Sequence, residues 1–530
     1  MEDPYTYIEP DIWVKVFQNL PLADRFRVRK VCKTFVEHFL TLSKRININK
    51  TLSTINFNPL SINVKSRNND HTSMHFNGEG VSAILNVYGS NVKKIIFDRQ
   101  IPPLNNLTQR LNRLKELVCY NVVARDLLNL CENENSFQAI EIKSNDEVNS
   151  LFELTLQYLI GINYNRLSSL TIFYSILTGS CISNVNFELI TNLKLYTKIS
   201  NKANLHKLIR SSTNLEKFTC VDIDFDSLLI ISLNCTKLSE LKLCVFDSPF
   251  TFYDPVDHTL NTIFRKNQNL NTVKLKNFQY LTGFGNRYLN FNNIKSIHIS
   301  SPGISFLAED FNNKLELFKN LIHLKLCNIN VDNFAVMSTG IMNCLDLKFL
   351  KISYCKDVTD DVLIKACKTL NSLQSLHLNT LHNITDRVFE SLIISCPKLN
   401  DLKIDNCINI TDETIIIFSQ NKRDLKSLTL TNLHAINGEF IQNLTELKYL
   451  NLQNSTAVIP HRINELINKN INLECINIRE CIQFDTTFLD SSIEFLNERQ
   501  NDFNLVLKIR NTNINLNNLS TRCKNLYIKP

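Results

Sequence analysis

The sequence predicts an α/β solenoid, in which one short strand and one helix repeat along the chain. The first observation is a Leu-x-x-Leu-x-(Leu or Ile) motif that recurs at Leu347, Leu373, Leu399 and Leu425, always 26 residues apart. The second is the alternation of apolar and polar residues within each motif, which is typical of a strand with one buried face. The third is the helical character of the segment after each motif. Stacked repeats of this kind place parallel strands on one side and helices on the other.

Looser copies of the motif extend the array in both directions. Towards the N-terminus they begin at Leu321, Ile294, Leu270, Leu238, Leu215, Ile190, Leu167, Phe137, Leu114 and Val92. Towards the C-terminus they begin at Leu447 and Leu473, and a degenerate last copy falls near Leu507. The period and the motif together predict a leucine-rich-repeat solenoid over residues 91–530, with parallel strands on the concave face and helices on the convex face. Such a surface favours binding of another macromolecule over catalysis.

Two local expectations concern the helices and the region before the array. Thr359 and Thr385 are each followed by an Asp and a helical pattern, which predicts that the Thr or Asp side chain caps the helix start. Residues 46–90 are predicted to form a linker and an irregular first repeat. Within them, residues 58–80 are predicted to form a polar loop of low order.

The composition excludes several classes of protein. The 16 cysteines contain no Cys-x-x-Cys pair, and many are in register with the repeat. Buried free thiols in a reducing compartment are therefore expected, in the cytoplasm, the nucleus or both, and no metal site. The N-terminus lacks a signal-peptide pattern, and no apolar run is long enough to span a bilayer. The net charge of +7 is modest for 530 residues, so nucleic acid is an unlikely partner. No phosphate loop or His-Glu-x-x-His motif is present, so no cofactor and no enzyme activity are expected.

Residues 8–35 do not follow the repeat. Ile12, Val16, Phe17 and Leu20 share one face of a predicted helix, which Pro21 ends. Asp24 lies near the start of a second predicted helix. So small a group of helices cannot bury a convincing core, which favours contact with a partner over a simple cap of the solenoid.

This segment resembles an F-box, which would occupy residues 1–45. The matching positions are Ile8, Ile12, Val16-Phe17, Leu20-Pro21, Asp24 and Val31-Cys32-Lys33. Two departures are the early proline, which lies at Pro10, and Phe35 in place of the usual tryptophan. The repeats resemble the cysteine-containing leucine-rich subtype, as in the segment from Cys396 through Cys407 to Asp412. An F-box followed by such repeats is similar to the F-box/leucine-rich-repeat family.

The resemblance implies that the chain is the substrate-recognition subunit of an SCF-type ubiquitin ligase. The F-box would bind a Skp-type adaptor, and through it cullin and RING subunits, while the repeats bind a protein substrate for ubiquitination and degradation. The adaptor contacts carried over from the family are Ile8, Ile12, Val16, Phe17, Leu20, Pro21, Val31 and Cys32. For several of these, helix packing within the F-box explains the residue equally well.

The residue between the last two apolar positions of each motif points onto the concave face. In successive repeats this position holds Lys242, Lys274, His298, Lys325, Lys351, His377 and Lys403. We expect this column to bind an acidic or phosphorylated segment of the substrate. The simpler alternative is a lysine-rich chain that places Lys at any exposed strand position, with Glu240, Asp401 and Asp405 neutralising part of the charge. Two rival functions remain, a scaffold without ubiquitin transfer and a solenoid that binds RNA or another polyanion.

Overall fold

A computed structural model gives the structure of the chain. It describes residues 52–58, 61–66, 71–74, 93–98, 114–131, 137–144, 150–183, 185–246, 256–278, 292–300, 305–306, 315, 318–331, 334–421, 424–439, 441–498, 504–516 and 526–529. The chain divides into two compact units, residues 1–238 and residues 239–530. The eight predicted adaptor contacts between Ile8 and Cys32 lie outside the described residues.

Unit 1 begins with antiparallel strands and continues as a parallel sheet. Its described elements are β1 (Leu52–Asn58), β2 (Ser61–Ser66), β3 (His71–Met74), β4 (Lys94–Asp98), β5 (Glu116–Tyr120), α1 (Ala124–Cys131), β6 (Ala139–Lys143), α2 (Ser150–Asn163), β7 (Ser169–Leu177), α3 (Ser180–Ser183), β8 (Asn192–Ile199), α4 (Lys202–Ser211), β9 (Lys217–Cys220) and α5 (Phe225–Asn234). Strands β1, β2 and β3 pair antiparallel, and β4 to β9 pair in parallel in chain order. The expected polar loop over residues 58–80 was therefore wrong, because alternating Ile62, Val64 and their neighbours form strands there.

Unit 2 is a longer array of the same kind. Its described elements are β10 (Glu240–Cys244), α6 (Val256–Lys266), β11 (Thr272–Lys276), β12 (Ser296–Ser300), β13 (Ser305–Phe306), β14 (His323–Cys327), β15 (Asn330–Val331), α7 (Phe334–Met342), β16 (Phe349–Ser353), α8 (Asp360–Cys367), β17 (Ser375–Asn379), α9 (Arg387–Ser395), β18 (Asp401–Asp405), α10 (Asp412–Asn421), β19 (Ser427–Thr431), β20 (Tyr449–Asn451), α11 (Pro460–Lys469), β21 (Cys475–Asn477), α12 (Thr486–Glu498), β22 (Leu505–Lys508) and β23 (Leu526–Lys529). Apart from the short β13–β15 pair, the strands form one parallel sheet in chain order.

The leucines of the motif form the core, as the sequence predicts. Leu347, Leu350 and Ile352 of one repeat are fully buried, and so are their counterparts in the next repeats. The helices contribute the other side of this core, for example through Leu363 and Leu392, which are also fully buried. Neighbouring repeats therefore bury each other's apolar faces, which explains why many repeats are stacked in one array.

Residues with positive φ follow many of the described strands, and seven of the ten such non-glycine residues in the described segments are asparagines. Asn277 has φ 56° and Asn406 has φ 51°. The backbone N–H of each donates to a carbonyl of the next strand, from Asn277 to Ser300 at 2.7 Å and from Asn406 to Thr431 at 3.0 Å. Asparagine tolerates this left-handed conformation better than most residues, so it turns the chain without breaking the ladder.

The predicted helix caps were wrong. Neither Thr359 before α8 nor Asp386 before α9 makes a side-chain hydrogen bond to its own helix. The carboxylate of Asp360 instead accepts from the Thr385 backbone N–H at 2.7 Å and from the Thr385 hydroxyl at 2.6 Å, in the next repeat. Asp386 accepts in the same way from Thr411. The Thr-Asp pair is therefore a bridge between neighbouring repeats, a contact that local sequence patterns cannot reveal.

The described cysteines are free thiols, and most of them are buried. Burial raises the pKa of the Cys344 thiol to about 12 and that of Cys355 to about 11, so both are protonated at neutral pH. Among the described residues, no group of three His, Cys, Asp or Glu side chains could hold a metal ion. The helices of the described segments are too short or too polar to cross a bilayer.

Candidate partner-binding surface

Seven basic-type side chains lie in one row across the exposed face of the unit 2 sheet, which we call the basic row. Strand register pairs each member with the next, in the order Lys242, Lys274, His298, Lys325, Lys351, His377 and Lys403. Each member is flanked by two buried apolar residues of its own strand, so its side chain faces away from the core. The structure thus brings together all seven predicted residues. Their role in substrate binding stays a prediction.

The charges of the basic row are only partly compensated. Lys242 forms an ion pair with Glu240 at 2.7 Å. The ammonium of Lys325 lies 5.0 Å from the centroid of the Phe349 ring, a cation–π contact. Among the described residues, Lys274, Lys351 and Lys403 make no ion pair. Three of the five lysines are therefore available for an anion on this face.

The positive charges of the basic row help to lower the pKa values of two of its own members. Burial, followed by the charges of Lys276, Lys242 and Lys325, lowers the pKa of Lys274. Burial and the surrounding lysines lower the pKa of His298 to about 3. His298 is thus neutral at physiological pH, so the positive charge of the basic row comes from its lysines. Sequence alone shows a histidine, whereas its charge depends on lysines from the strands on both sides.

Ser375, His377 and Asp401 form a hydrogen-bonded cluster at one end of the basic row. The Asp401 carboxylate accepts from the Ser375 hydroxyl at 2.6 Å and lies 3.2 Å from His377 Nε2. Burial opposes ionisation of Asp401, but hydrogen bonds from His377, Ser375 and Ser427 outweigh it and lower its pKa to about 2. Ser375 also contacts Nε2 of His377, at 3.1 Å. Because Ser and Asp share one ring nitrogen, the imidazole cannot relay a proton between them as in a hydrolase triad.

Beyond Lys403 the row changes from long cations to short polar side chains. Strand register continues the row through the short residues Thr429, Asn451 and Asn477. The next residue in register is Lys508, which is again a long cation. A depression of about 150 Å³ opens over these residues. The sequence motif gives Thr429, Asn451 and Asn477 their place in the row. The depression could not be foreseen, because it depends on four strands lying side by side.

Two comparisons with known proteins concern parts of the amino-acid sequence. Residues 10–46 match the family model of the F-box domain, which confirms that resemblance. A stretch of 85 residues, 14% of this chain, is 33% identical to a putative RNA-binding protein, EEED8.10 of Caenorhabditis elegans. The chain spans only 12% of the length of that relative.

Two solved structures are also similar to parts of the chain. A chain of the yeast Rad7 and Elc1 complex has 21% identity and a TM-score of 0.35, and the match covers 52% of this chain and 78% of that one. An internalin of Listeria monocytogenes has 16% identity and a TM-score of 0.36, with 64% of this chain and 80% of that one covered.

Proposed function

We propose that this chain, an F-box/leucine-rich-repeat protein, is the substrate-recognition subunit of an SCF-type ubiquitin ligase in the cytoplasm or the nucleus. The F-box domain at residues 10–46 implies binding of a Skp-type adaptor. The adaptor in turn joins the cullin and RING subunits. The solenoid holds a protein substrate, so that its lysines meet a charged ubiquitin-conjugating enzyme at high effective concentration. In this proposal the chain itself makes and breaks no bonds and needs no cofactor.

The basic row supports a specific class of substrate, namely an acidic or phosphorylated segment. Parallel strands lie about 4.8 Å apart, so the row from Lys242 to Lys403 is roughly 29 Å long. An extended peptide rises about 3.3 Å per residue, so roughly nine residues would cover the row. Lys274, Lys351 and Lys403, which make neither an ion pair nor a cation–π contact among the described residues, are distributed along this length. One extended acidic segment could therefore contact all of them.

The single observation that carries this assignment is the strand register that aligns the seven members of the basic row, and its charge contributes to the depressed pKa of Lys274 and His298. Their lysine neighbours add to burial in making a positive charge unfavourable at both positions. Such mutual repulsion weakens the folded state unless an anion relieves it. A bound carboxylate or phosphate would relieve it, and the relief would contribute to the free energy of binding.

The experiment is affinity capture from cells with the full-length chain and two variants. The row variant carries Lys325→Glu, Lys351→Glu and Lys403→Glu, and the F-box variant carries Leu20→Asp. We expect the row variant to lose the substrate and keep the adaptor and cullin. The F-box variant should lose the adaptor and cullin and keep the substrate. The proteins recovered are identified by mass spectrometry and quantified against the parent chain.

A matched control variant distinguishes the loss of the basic row from a general change in net charge. Lys319→Glu, Lys356→Glu and Lys398→Glu make the same change in charge at exposed positions of unit 2 that lie outside the strands. This control should retain both the substrate and the adaptor. Equal substrate capture by the row variant and the control would disprove the substrate assignment. Undiminished recovery of the adaptor by the F-box variant would disprove the ligase assignment.

The basic row also supports a second candidate, a polyanion-binding solenoid without a ligase role. Its affinity would fall steeply with salt, because binding to phosphates releases condensed counterions. Retention on heparin or RNA that the row variant abolishes, together with no adaptor in the parent's capture, would favour this candidate. A scaffold without ubiquitin transfer would recover the adaptor but no cullin.

A further inference from the structure

The depression at the end of the basic row has the dimensions of a binding pocket for one side chain. Its volume is about 150 Å³. It is lined by Thr429, Tyr449, Leu450, Asn451, Cys475, Asn477 and Lys508. A cavity of this volume accommodates a group about as large as benzene. The pocket is thus too small for a folded element and large enough for one side chain or one chain terminus.

The pocket exists because the row contains short side chains at this point. Thr429, Asn451 and Asn477 occupy the positions that lysines fill in most of the preceding strands. Lys508 restores a long cation in the next strand. Lys403 and Lys508 therefore border the short residues on either side, and the pocket is continuous with the basic row.

The asparagines present only hydrogen-bond donors to this pocket. The Oδ1 atom of Asn451 accepts from the backbone N–H of Gln453 at 3.1 Å, and Oδ1 of Asn477 accepts from Arg479 at 3.2 Å. These bonds fix the orientation of both amides, since a flipped amide would oppose its NH₂ group to a backbone N–H. The Nδ2 group of Asn477 has only a long contact, 3.5 Å, to the Gln453 side chain. Amide donors thus remain for a ligand.

The charges around the pocket favour an anion. Lys508 makes no ion pair among the described residues, and an ammonium group can only donate hydrogen bonds. Glu474 is the acidic group beside Tyr449, and its carboxylate accepts from the Tyr449 hydroxyl at 2.6 Å and from Lys448 Nζ at 2.7 Å. Those two bonds lower the pKa of Glu474 and hold the Tyr449 ring as a wall of the pocket. The charge of Glu474 is thereby offset by Lys448.

We propose that this pocket binds one carboxylate group of the partner segment that lies along the basic row. The amides of Asn451 and Asn477 and the ammonium of Lys508 would donate to the two carboxylate oxygens. The carboxylate comes either from an Asp or Glu side chain or from a free C-terminus. The inference rests on the proposed function for the statement that the ligand is part of a bound protein. The preference for a carboxylate rests on the pocket alone.

The test uses the full-length chain and three fluorescent pentapeptides, with binding measured by fluorescence anisotropy. The first probe is Ser-Ser-Glu-Ser-Ser with an amidated C-terminus, the second is pentaserine with a free C-terminus, and the third is amidated pentaserine. We expect one of the first two probes to bind about tenfold more tightly than the neutral third. The probe that binds identifies the source of the carboxylate.

Two variants and two controls assign that preference to the pocket. Asn451→Asp keeps the oxygen that accepts from Gln453 but replaces the NH₂ donor by a negative oxygen, and Lys508→Gln removes the cation. Both should abolish the preference. Asn371→Asp, an exposed position outside the pocket, and the double variant Lys325→Glu/Lys351→Glu should retain it.

Equal binding of the three probes, or an unchanged preference in Asn451→Asp, would overturn the proposal. Loss of the preference in the Lys325→Glu/Lys351→Glu variant alone would move the site to the basic row and also overturn it. The proposed function would survive each of these results, since it is decided by the capture of adaptor and substrate.

Discussion

The two units repeat the same kind of strand but place different residues in the equivalent row. In unit 1 the row equivalent to the basic row contains Ile96, Val118, Glu141, Thr171, Lys194 and Thr219. In unit 2 the first seven members are lysines and histidines. Val118, Thr171 and Thr219 of the unit 1 row are buried, so the unit 1 row does not form an unbroken exposed surface. The difference shows that the basic row is a feature of unit 2, whereas the buried leucines are a feature of the fold.

The largest expected effect tests whether the two units share one scaffold. Leu170→Ala in unit 1 and Leu376→Ala in unit 2 each remove a fully buried strand residue. Each should lower the free energy of unfolding by about 2–5 kcal/mol, because a cavity replaces the lost methyl groups. Denaturant unfolding of both variants measures this. A cost confined to one unit would show that the two arrays are not stabilised in the same way.

A smaller effect is expected from the bridges between repeats. Asp386→Ala removes the acceptor for the Thr411 backbone N–H and hydroxyl, and should cost about 1–3 kcal/mol in denaturant unfolding. In unit 1, Glu153 accepts comparable bonds from Thr178, at 2.9 Å from the backbone N–H. Glu153→Ala should therefore cost a similar amount. Asp361→Ala is the control, because the ion pair of Asp361 with Arg387 is exposed, and its loss should be nearly neutral.

The acid sensitivity of His298 distinguishes unit 2 from unit 1. The pKa of His298 falls from 6.5 to about 3 on folding, so the unfolded chain binds a proton that the folded chain does not. Stability is therefore lost as pH falls from 6.5 towards 3. His298→Gln should remove this loss. The melting temperature of the variant minus that of the parent should therefore increase as the pH is lowered from 7 to 4.5.

Asp401 affects stability in a lower pH range than His298, so the two contributions can be measured separately. Its pKa is lowered from 3.8 to about 2, so its stabilising contribution is present above 3.8 and is lost as pH falls through about 2. The comparison of His298→Gln with the parent above pH 4.5 therefore reports on the histidine. An unchanged difference in melting temperature across that range would show that burial and the neighbouring lysines do not depress the pKa of His298.

The smallest expected effect concerns repulsion along the basic row. Lys351→Gln removes one of several neighbouring like charges and should raise the free energy of unfolding by up to about 1 kcal/mol at low salt. The gain should shrink at high salt, because ions screen exposed charges. Lys194→Gln in unit 1, where both partners in register are threonines, should show no such gain. A stabilisation of equal size in both variants would remove the electrostatic distinction between the units.

The motif was sufficient to predict the strands and the register of the row. Leu347, Leu373, Leu399 and Leu425 were predicted to occupy equivalent buried positions, and all four are fully buried. A fixed motif in successive repeats forces successive strands into the same register, so Lys351, His377 and Lys403 had to fall in line. The strands of residues 52–74 were missed because they belong to no repeat, so no period identifies them.

The sequence by itself determined where each side chain lies relative to the core, because alternation along a strand is a local property of the backbone. Tertiary structure decided the chemical state of those side chains. His298 is neutral, Asp386 bonds to the next repeat instead of capping its helix, and Thr429, Asn451 and Asn477 form the floor of a pocket. Each of these outcomes depends on residues about one repeat or more away in sequence. Such neighbours meet only after the repeats have stacked, so no local pattern can specify them.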